Sequence, residues 1–234
     1  MMAASGSLKV WASMFAALLV AGVLAAVAFV SGAEAQEIGC RGDVVLDAGH
    51  GGSDPGAVNS RYVPSLKEKE QTLDVALRLE DLLEDEYKVC MTRTLNSETL
   101  SNSDRYTYAN ATGAKVLVSI HMNGSSNPAT DYTTTLYGKW RKDKELAQTM
   151  FRSLSTLPAA TLPAAGGTGT IATRAPYSFA SGVLLKSNMP AIIAETVFIT
   201  SDAEGRLLSD GTGARQQQIA EKLETGIENY LSTH

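Results

Sequence analysis

The chain has 234 residues, 44% of them hydrophobic and 19% charged, and carries a net charge of −5. That is ordinary globular composition for one domain of middling size. It excludes a nucleic-acid binder, because no basic surplus exists to meet phosphates.

The N-terminus departs from this average. Lys9 precedes a nearly unbroken apolar run from Val10 to Val30, and "AEAQ" follows from Ala33 to Gln36. Small residues behind an apolar stretch are the pattern of a secretory signal, here cleaved after Ala35. The run also matches the ~20 residues that span a bilayer, so an uncleaved anchor is the alternative. Residues 1–35 are therefore expected to be a signal peptide or an N-terminal membrane anchor, and residues 36–234 a single exported domain. Lys9 and Glu34 cancel, so export leaves the net charge unchanged. Cys40 and Cys90 are the only cysteines. In an oxidising compartment they suggest a disulfide, with two buried free thiols as the alternative.

Beyond the leader, strand patterns alternate with helical ones. "DVVLDAG" (43–49) reads as a buried strand and "SLKEKEQTLDVALRLEDLLED" (65–85) as an amphipathic helix. A strand over 87–93, a helix over 103–113 ending at Gly113, and an apolar strand over 114–124 follow. A helix over 144–154, a looser connection rich in Ala, Gly, Thr and Pro over 155–175, a strand over 190–198 and a closing helix over 213–231 complete the chain. This alternation predicts an α/β fold: three layers, with a mostly parallel twisted sheet and helices on both faces. Such sheets place ligands beyond the carboxyl ends of their strands. His50, His121 and Glu195 each stand near such an end.

A single strand-end histidine is more often structural. Two at equivalent ends point to a metal. Catalytic zinc takes three protein ligands and leaves a position for water. No third internal histidine exists, and both cysteines lie outside these turns, so the third ligand should be a carboxylate. A rotation of about 100° per residue puts Glu68 on the helix face of Val75, Leu79 and Leu82. Glu70 falls on the opposite, solvated face with Asp74, Arg78 and Asp81. A carboxylate on an apolar face needs a cation beside it, although an acid in a first turn is also favoured by the helix dipole alone. Glu195 interrupts the apolar run "PAIIAETVF" and is a candidate acid/base with a raised pKa; an ion pair is the plainer reading.

These pieces together resemble the zinc-dependent N-acetylmuramoyl-L-alanine amidases of bacterial cell walls, the amidase-3 type, over residues 43–231. "DAGHGGSDPGA" (47–57) is similar to that family's first zinc motif, with Ala48 where proline is more common. "LKEKEQTLDVALRLEDLL" (66–83) resembles the motif whose glutamate ligand falls on Glu68. "TRTLN" (92–96) and "DRYTYAN" (104–110) match in character, and "SIHMNG" (119–124) carries His121. "AETVFITSDAE" (194–204) resembles the motif of the catalytic glutamate, Glu195, with Ser201 and Asp202 where Asn often stands.

The resemblance implies a peptidoglycan hydrolase that cuts the amide between the lactyl group of N-acetylmuramic acid and L-alanine of the stem peptide. It implies Zn²⁺ on His50, Glu68 and His121, activating water, with Glu195 as general base and then acid. Asp47 and Asn123 stand beside the ligands as candidates to orient them. The other readings are a different exported zinc hydrolase, such as a carboxypeptidase or deacetylase, and a catalytically silent wall-binding protein. No separate wall-binding module is visible. The segment after His121 is too short for a long self-inhibitory helix, so an open groove is expected.

Overall fold

Val44–Ala48 form β1, five apolar or buried residues in a row, as a strand covered on both faces requires. In this computed structural model, residues 39–160 and 169–234 are described. The expected leader, residues 1–35, lies outside them, as do residues 161–168 of the looser connection. No helix among the described residues is long and apolar enough to cross a membrane.

β1 is central. It pairs in parallel with β4 (Val89–Met91) on one side and β5 (Val116–Asn123) on the other. β5 pairs in parallel with β8 (Ala191–Phe198). Two further strands extend the sheet: β6 (Thr134–Tyr137), antiparallel to β8, and β7 (Tyr177–Ser178), parallel to β6. The sheet order is β4-β1-β5-β8-β6-β7. A small antiparallel pair, β2 (Val58–Asn59) and β3 (Leu66–Lys67), precedes the first helix.

Helices cover both faces, as expected. On one face α1 (Glu68–Leu83), α3 (Trp140–Leu154) and α6 (Ala214–Leu231) pack against Val44, Leu46, Val118, Ile120 and Ile192. On the other, α2 (Asn102–Thr112) and the short α4 (Gly182–Lys186) cover Val45, Leu117, Ala191 and Ile193. The first helix begins at Glu68 rather than 65, because Leu66 and Lys67 are taken up by β3. α2 starts on a reciprocal cap: the Ser101 hydroxyl accepts from Asp104 N–H, and the Asp104 carboxylate accepts from Ser101 N–H. It ends where Gly113 adopts φ 73°. The short α5 (Asp202–Leu208) is tied to α6 by a buried ion pair of Glu204 with Arg215.

Side chains alternate across a strand. Leu117 and Ile193 face α2 and α4, so His121 and Glu195, an even number of positions further on, face the same side, above the end of those helices. That side carries a cleft lined by His50, Asp54, Arg105, His121, Phe179 and Ser181 among others. No helix occupies the 124–133 connection from β5 to β6.

Cys40 and Cys90 form a disulfide, 50 residues apart, so the free-thiol alternative falls. It ties the chain entering β1 to β4 at the sheet edge. Closing a loop of that length is worth about 2–4 kcal/mol. Cys40→Ser should therefore lower unfolding stability by about that much, measured by urea denaturation. A loss below ~0.5 kcal/mol would mean that the bridge constrains nothing the sheet does not already hold.

Candidate metal centre

The turn after β1 is built around His50. Its φ is 62°, a left-handed conformation that costs a non-glycine residue about 1–2 kcal/mol. Two buried arginines hold it there. Arg93 donates to the carbonyls of Ala48 at 2.9 Å, Gly49 at 2.8 Å and Lys69 at 2.7 Å. Arg105 donates to the Ala48 carbonyl at 2.8 Å and the His50 carbonyl at 2.7 Å. Asp47 neutralises Arg105 at 2.6 Å and accepts from Thr92 and Ser119 at 2.7 and 2.6 Å. Burial raises the Asp47 pKa, but the Arg105 charge and the hydroxyl donors outweigh it and hold the carboxyl below its ordinary value. Burial and the charge of Arg105 bring Arg93 down to about 10, still protonated at neutral pH.

Glu68 enters from the first turn of α1, 3% exposed. Its Oε2 accepts from Ala57 N–H at 2.8 Å and its Oε1 from Met122 N–H at 2.9 Å. The same Oε1 stands 3.0 Å from His50 Nε2 and 3.0 Å from His121 Nδ1. The two rings meet edge to face, with centroids 4.8 Å apart. One donor atom from each of the three residues lies within 4.8 Å of the others. The helical-face expectation for Glu68 holds; Glu70 instead pairs with Lys67 at the surface. His50 Nδ1 faces Asp54 Oδ2 at 2.8 Å. With that nitrogen protonated, Nε2 is left to ligate. Asp54 is itself fixed by Gly56 N–H at 3.0 Å.

Space for this convergence depends on two missing side chains. A Cβ on Gly49 would stand 2.5 Å from the His121 ring, and one on Gly56 2.6 Å from both Glu68 and His50.

The residues fit a zinc ion. Two imidazoles and a carboxylate are its donor set with a position left open. The buried Glu68 has no Lys or Arg partner among the described residues, only the two histidines. Burial disfavours the charged form of His50, but the hydrogen bond and charge of Glu68, with those of Asp54, outweigh this and lift the ring to about 9. Burial raises Glu68, yet its bonds to His121 and His50 carry its pKa well below the ordinary carboxylate value.

Glu195 is the neighbour of His121 across the β5–β8 ladder. Its Oε2 is buried without a hydrogen-bond partner among the described residues. Burial first, and the Glu68 charge second, raise its pKa to about 7 against the opposing pull of the histidines. It forms no ion pair with Arg or Lys among the described residues, so the plainer sequence reading falls away.

Of the two orienting candidates, Asp47 acts at one remove, through Arg105 on the His50 carbonyl. Asn123 makes no side-chain hydrogen bond to His50, Glu68 or His121; its carbonyl accepts from Ile199 N–H at 3.0 Å. The ligand-orienting carboxylate that sequence reasoning missed is Asp54. The signal was its place four residues after His50, within the glycine-rich stretch. Arg93 and Arg105 lay in the segments "TRTLN" and "DRYTYAN", without an assigned role.

The N-acetylmuramoyl-L-alanine amidase family matches residues 44–229. The sporulation-specific N-acetylmuramoyl-L-alanine amidase of Bacillus subtilis (strain 168) is 31% identical over 192 residues, covering 81% of this chain and 68% of that protein. Among solved structures, the catalytic domain of CwlV, an N-acetylmuramoyl-L-alanine amidase from Bacillus (Paenibacillus) polymyxa var. colistinus, is similar with a TM-score of 0.68 and 31% identity, over 82% of this chain and 98% of that one. An N-acetylmuramoyl-L-alanine amidase from Clostridium difficile 630 gives 0.69 and 31%, over 81% and 96%.

A metal entering this centre must displace the proton that His50 holds below about pH 9. Affinity should therefore fall as pH drops from 9, by about tenfold per unit where one proton is released. Zinc dissociation constants from chelator competition between pH 6 and 9 measure the slope; a flat profile would contradict it. Asp54→Ala should weaken zinc by about 10- to 100-fold in the same assay.

Proposed function

The chain belongs to the N-acetylmuramoyl-L-alanine amidase family and is a peptidoglycan hydrolase acting on the amide between N-acetylmuramic acid and the stem peptide; we propose that it does so with zinc on His50, Glu68 and His121 and with Glu195 as general base and acid. One observation carries the reading. Glu195, with a buried and unpartnered oxygen, lies beside His121 in the sheet.

Zinc, when bound, supplies a Lewis acid that brings the pKa of water to around 7 and polarises the scissile carbonyl. The chain's own residues do the rest. Glu68 stays in place because two backbone N–H groups hold it, and Asp54 fixes the ring of His50. Glu195 accepts the proton of the attacking water and delivers it to the departing alanine nitrogen. A pKa near neutrality suits both transfers, and a nearby dication lowers it further toward the basic form. The open rim above α2 and α4 gives a bulky sugar-peptide room to lie across the strand ends. Family membership replaces the wider class of exported zinc hydrolases, and the poised Glu195 speaks against a silent wall binder.

We further propose that residues 1–35 export the protein, as a cleaved signal or an anchor, and that 36–234 is the catalytic domain working outside the cytoplasmic membrane. The apolar run and the small residues before Gln36 support this.

Peptidoglycan digested with the zinc-loaded protein should release stem peptides with free amino-terminal L-alanine and leave glycans with unsubstituted lactyl carboxylates, both read by mass spectrometry. Products cut within the peptide, between sugars or at acetyl groups would refute the assignment. Glu195→Gln should keep the fold and one zinc per chain while turnover falls at least ~10²-fold. Near-normal turnover at full occupancy would remove Glu195 from the mechanism. Glu68→Ala should abolish zinc binding and Glu70→Ala leave it intact.

A further inference from the structure

One exposed cation, in the segment beyond β6, has no carboxylate partner among the described residues. Arg174 is fully exposed and forms no ion pair among the described residues, in a chain that is acidic overall. It is braced nonetheless. Its Nη1 donates to the Tyr132 hydroxyl at 3.3 Å, and its guanidinium lies 4.7 Å from the centre of the Tyr177 ring. Its backbone N–H donates to the Thr133 carbonyl at 3.0 Å. Thr133 in turn donates from its hydroxyl to the Glu195 carbonyl at 3.3 Å. Thr134 lies directly opposite Glu195 in the β6–β8 pair, and Thr133 is bridged to Thr173 on its far side. Arg174 is thus held about two strand spacings, ~10 Å, from Glu195. Two phenols contact this arginine, and among the described residues its Nη1 alone has a side-chain hydrogen-bond partner.

The ligand-bearing turns belong to β1 and β5, Glu195 to β8, and Arg174 to the segment beyond β6. With the scissile carbonyl at the ligands and the departing nitrogen at Glu195, the peptide continues over β6 towards Arg174. The glycan lies on the other side. An extended chain advances about 3.5 Å per residue. The residue after the leaving alanine therefore brings its substituent some 7 Å past Glu195, within reach of a guanidinium side chain. In stem peptides that residue is a γ-linked glutamate whose α-carboxyl is either free or amidated.

Resting on the amidase reading above, we propose that Arg174 is a specificity residue: it binds the free carboxylate of the second stem residue, and so favours stems carrying it over stems in which it is amidated. A planar fork meets a carboxylate with two donors and offers an amide a weaker partner. Solvent exposure limits the effect to about two- to fivefold.

The test uses the full chain loaded with zinc and two synthetic muramyl peptides that differ only in a carboxylate or carboxamide on that residue. The wild type should show an about two- to fivefold higher kcat/KM for the carboxylate, carried by KM. Arg174→Gln should bring the ratio to about one through a raised KM for the carboxylate substrate, and Arg174→Lys should keep part of the preference. Equal cleavage of both peptides by the wild type would overturn the proposal and leave the amidase reading intact. So would an Arg174→Gln variant that retains the ratio or slows both peptides alike. Cleavage of neither peptide would bring down both.

Discussion

A carboxylate buried at the start of a helix is what the rest of this site depends on. Removing Glu68 from water costs several kcal/mol unless its charge is met. The fold meets it with the Ala57 and Met122 N–H groups, one from the loop before β2 and one from β5. Those two bonds fix the carboxylate relative to two strands at once. They also leave Oε1 facing both imidazoles, so that the remaining demand for positive charge falls at one point between three side chains. A proton on His50 would answer that demand. A dication answers it better, because it also engages the histidines as neutral ligands.

The strained turn at His50 follows the same logic in reverse. Carbonyl groups of residues 48–50 point inward, where water cannot reach them, and buried carbonyls need donors. Arg93 and Arg105 provide them, and a fork with several N–H groups is the economical way to serve carbonyls from different segments. Both guanidiniums are buried, so Asp47 is needed beneath them, and Thr92 and Ser119 complete its bonding. The strain at His50 is thus held by a polar network in the interior. The ligand turn is rigid although it is a loop, and rigidity is what a three-ligand site requires.

Those facts set how far the sequence could be read. His121 and Glu195 were legible because each interrupts an apolar strand with a polar group, His50 because it follows such a strand between glycines, and Glu68 because helical rotation separates it from Glu70. The strands β1, β5 and β8 and the three long helices announce themselves by apolar period. β6 and β7 do not. "TTLY" is short and carries two buried threonines, Thr134 and Thr135, which look like loop residues until their hydroxyls find carbonyl partners at Ala175 and Ala147. Asp54 was hidden for a different reason. Its contact with His50 needs the glycine-permitted path of residues 51–56, which no periodicity reports. The arginine network joins residues some 45 to 58 positions apart, a separation that a reading by local pattern does not cross.

The antiparallel β6 also explains why Glu195 sits where it can act. β6 flanks β8 on the side away from β5. It covers that side, placing Thr134 opposite Glu195 and pinning its carbonyl through Thr133. The side chain then has His121 on one flank and the β6 threonines on the other, and one oxygen loses its contact with water. Burial raises the affinity of that oxygen for a proton. Because base and ligand come from adjacent hydrogen-bonded strands, their separation is set by the ~4.8 Å ladder spacing, among the least deformable distances a protein can offer. The reversal of chain direction at β6 therefore places Thr134 opposite Glu195, and on the proposed reading it sets Tyr132, Arg174 and Tyr177 on the side where the departing amine leaves.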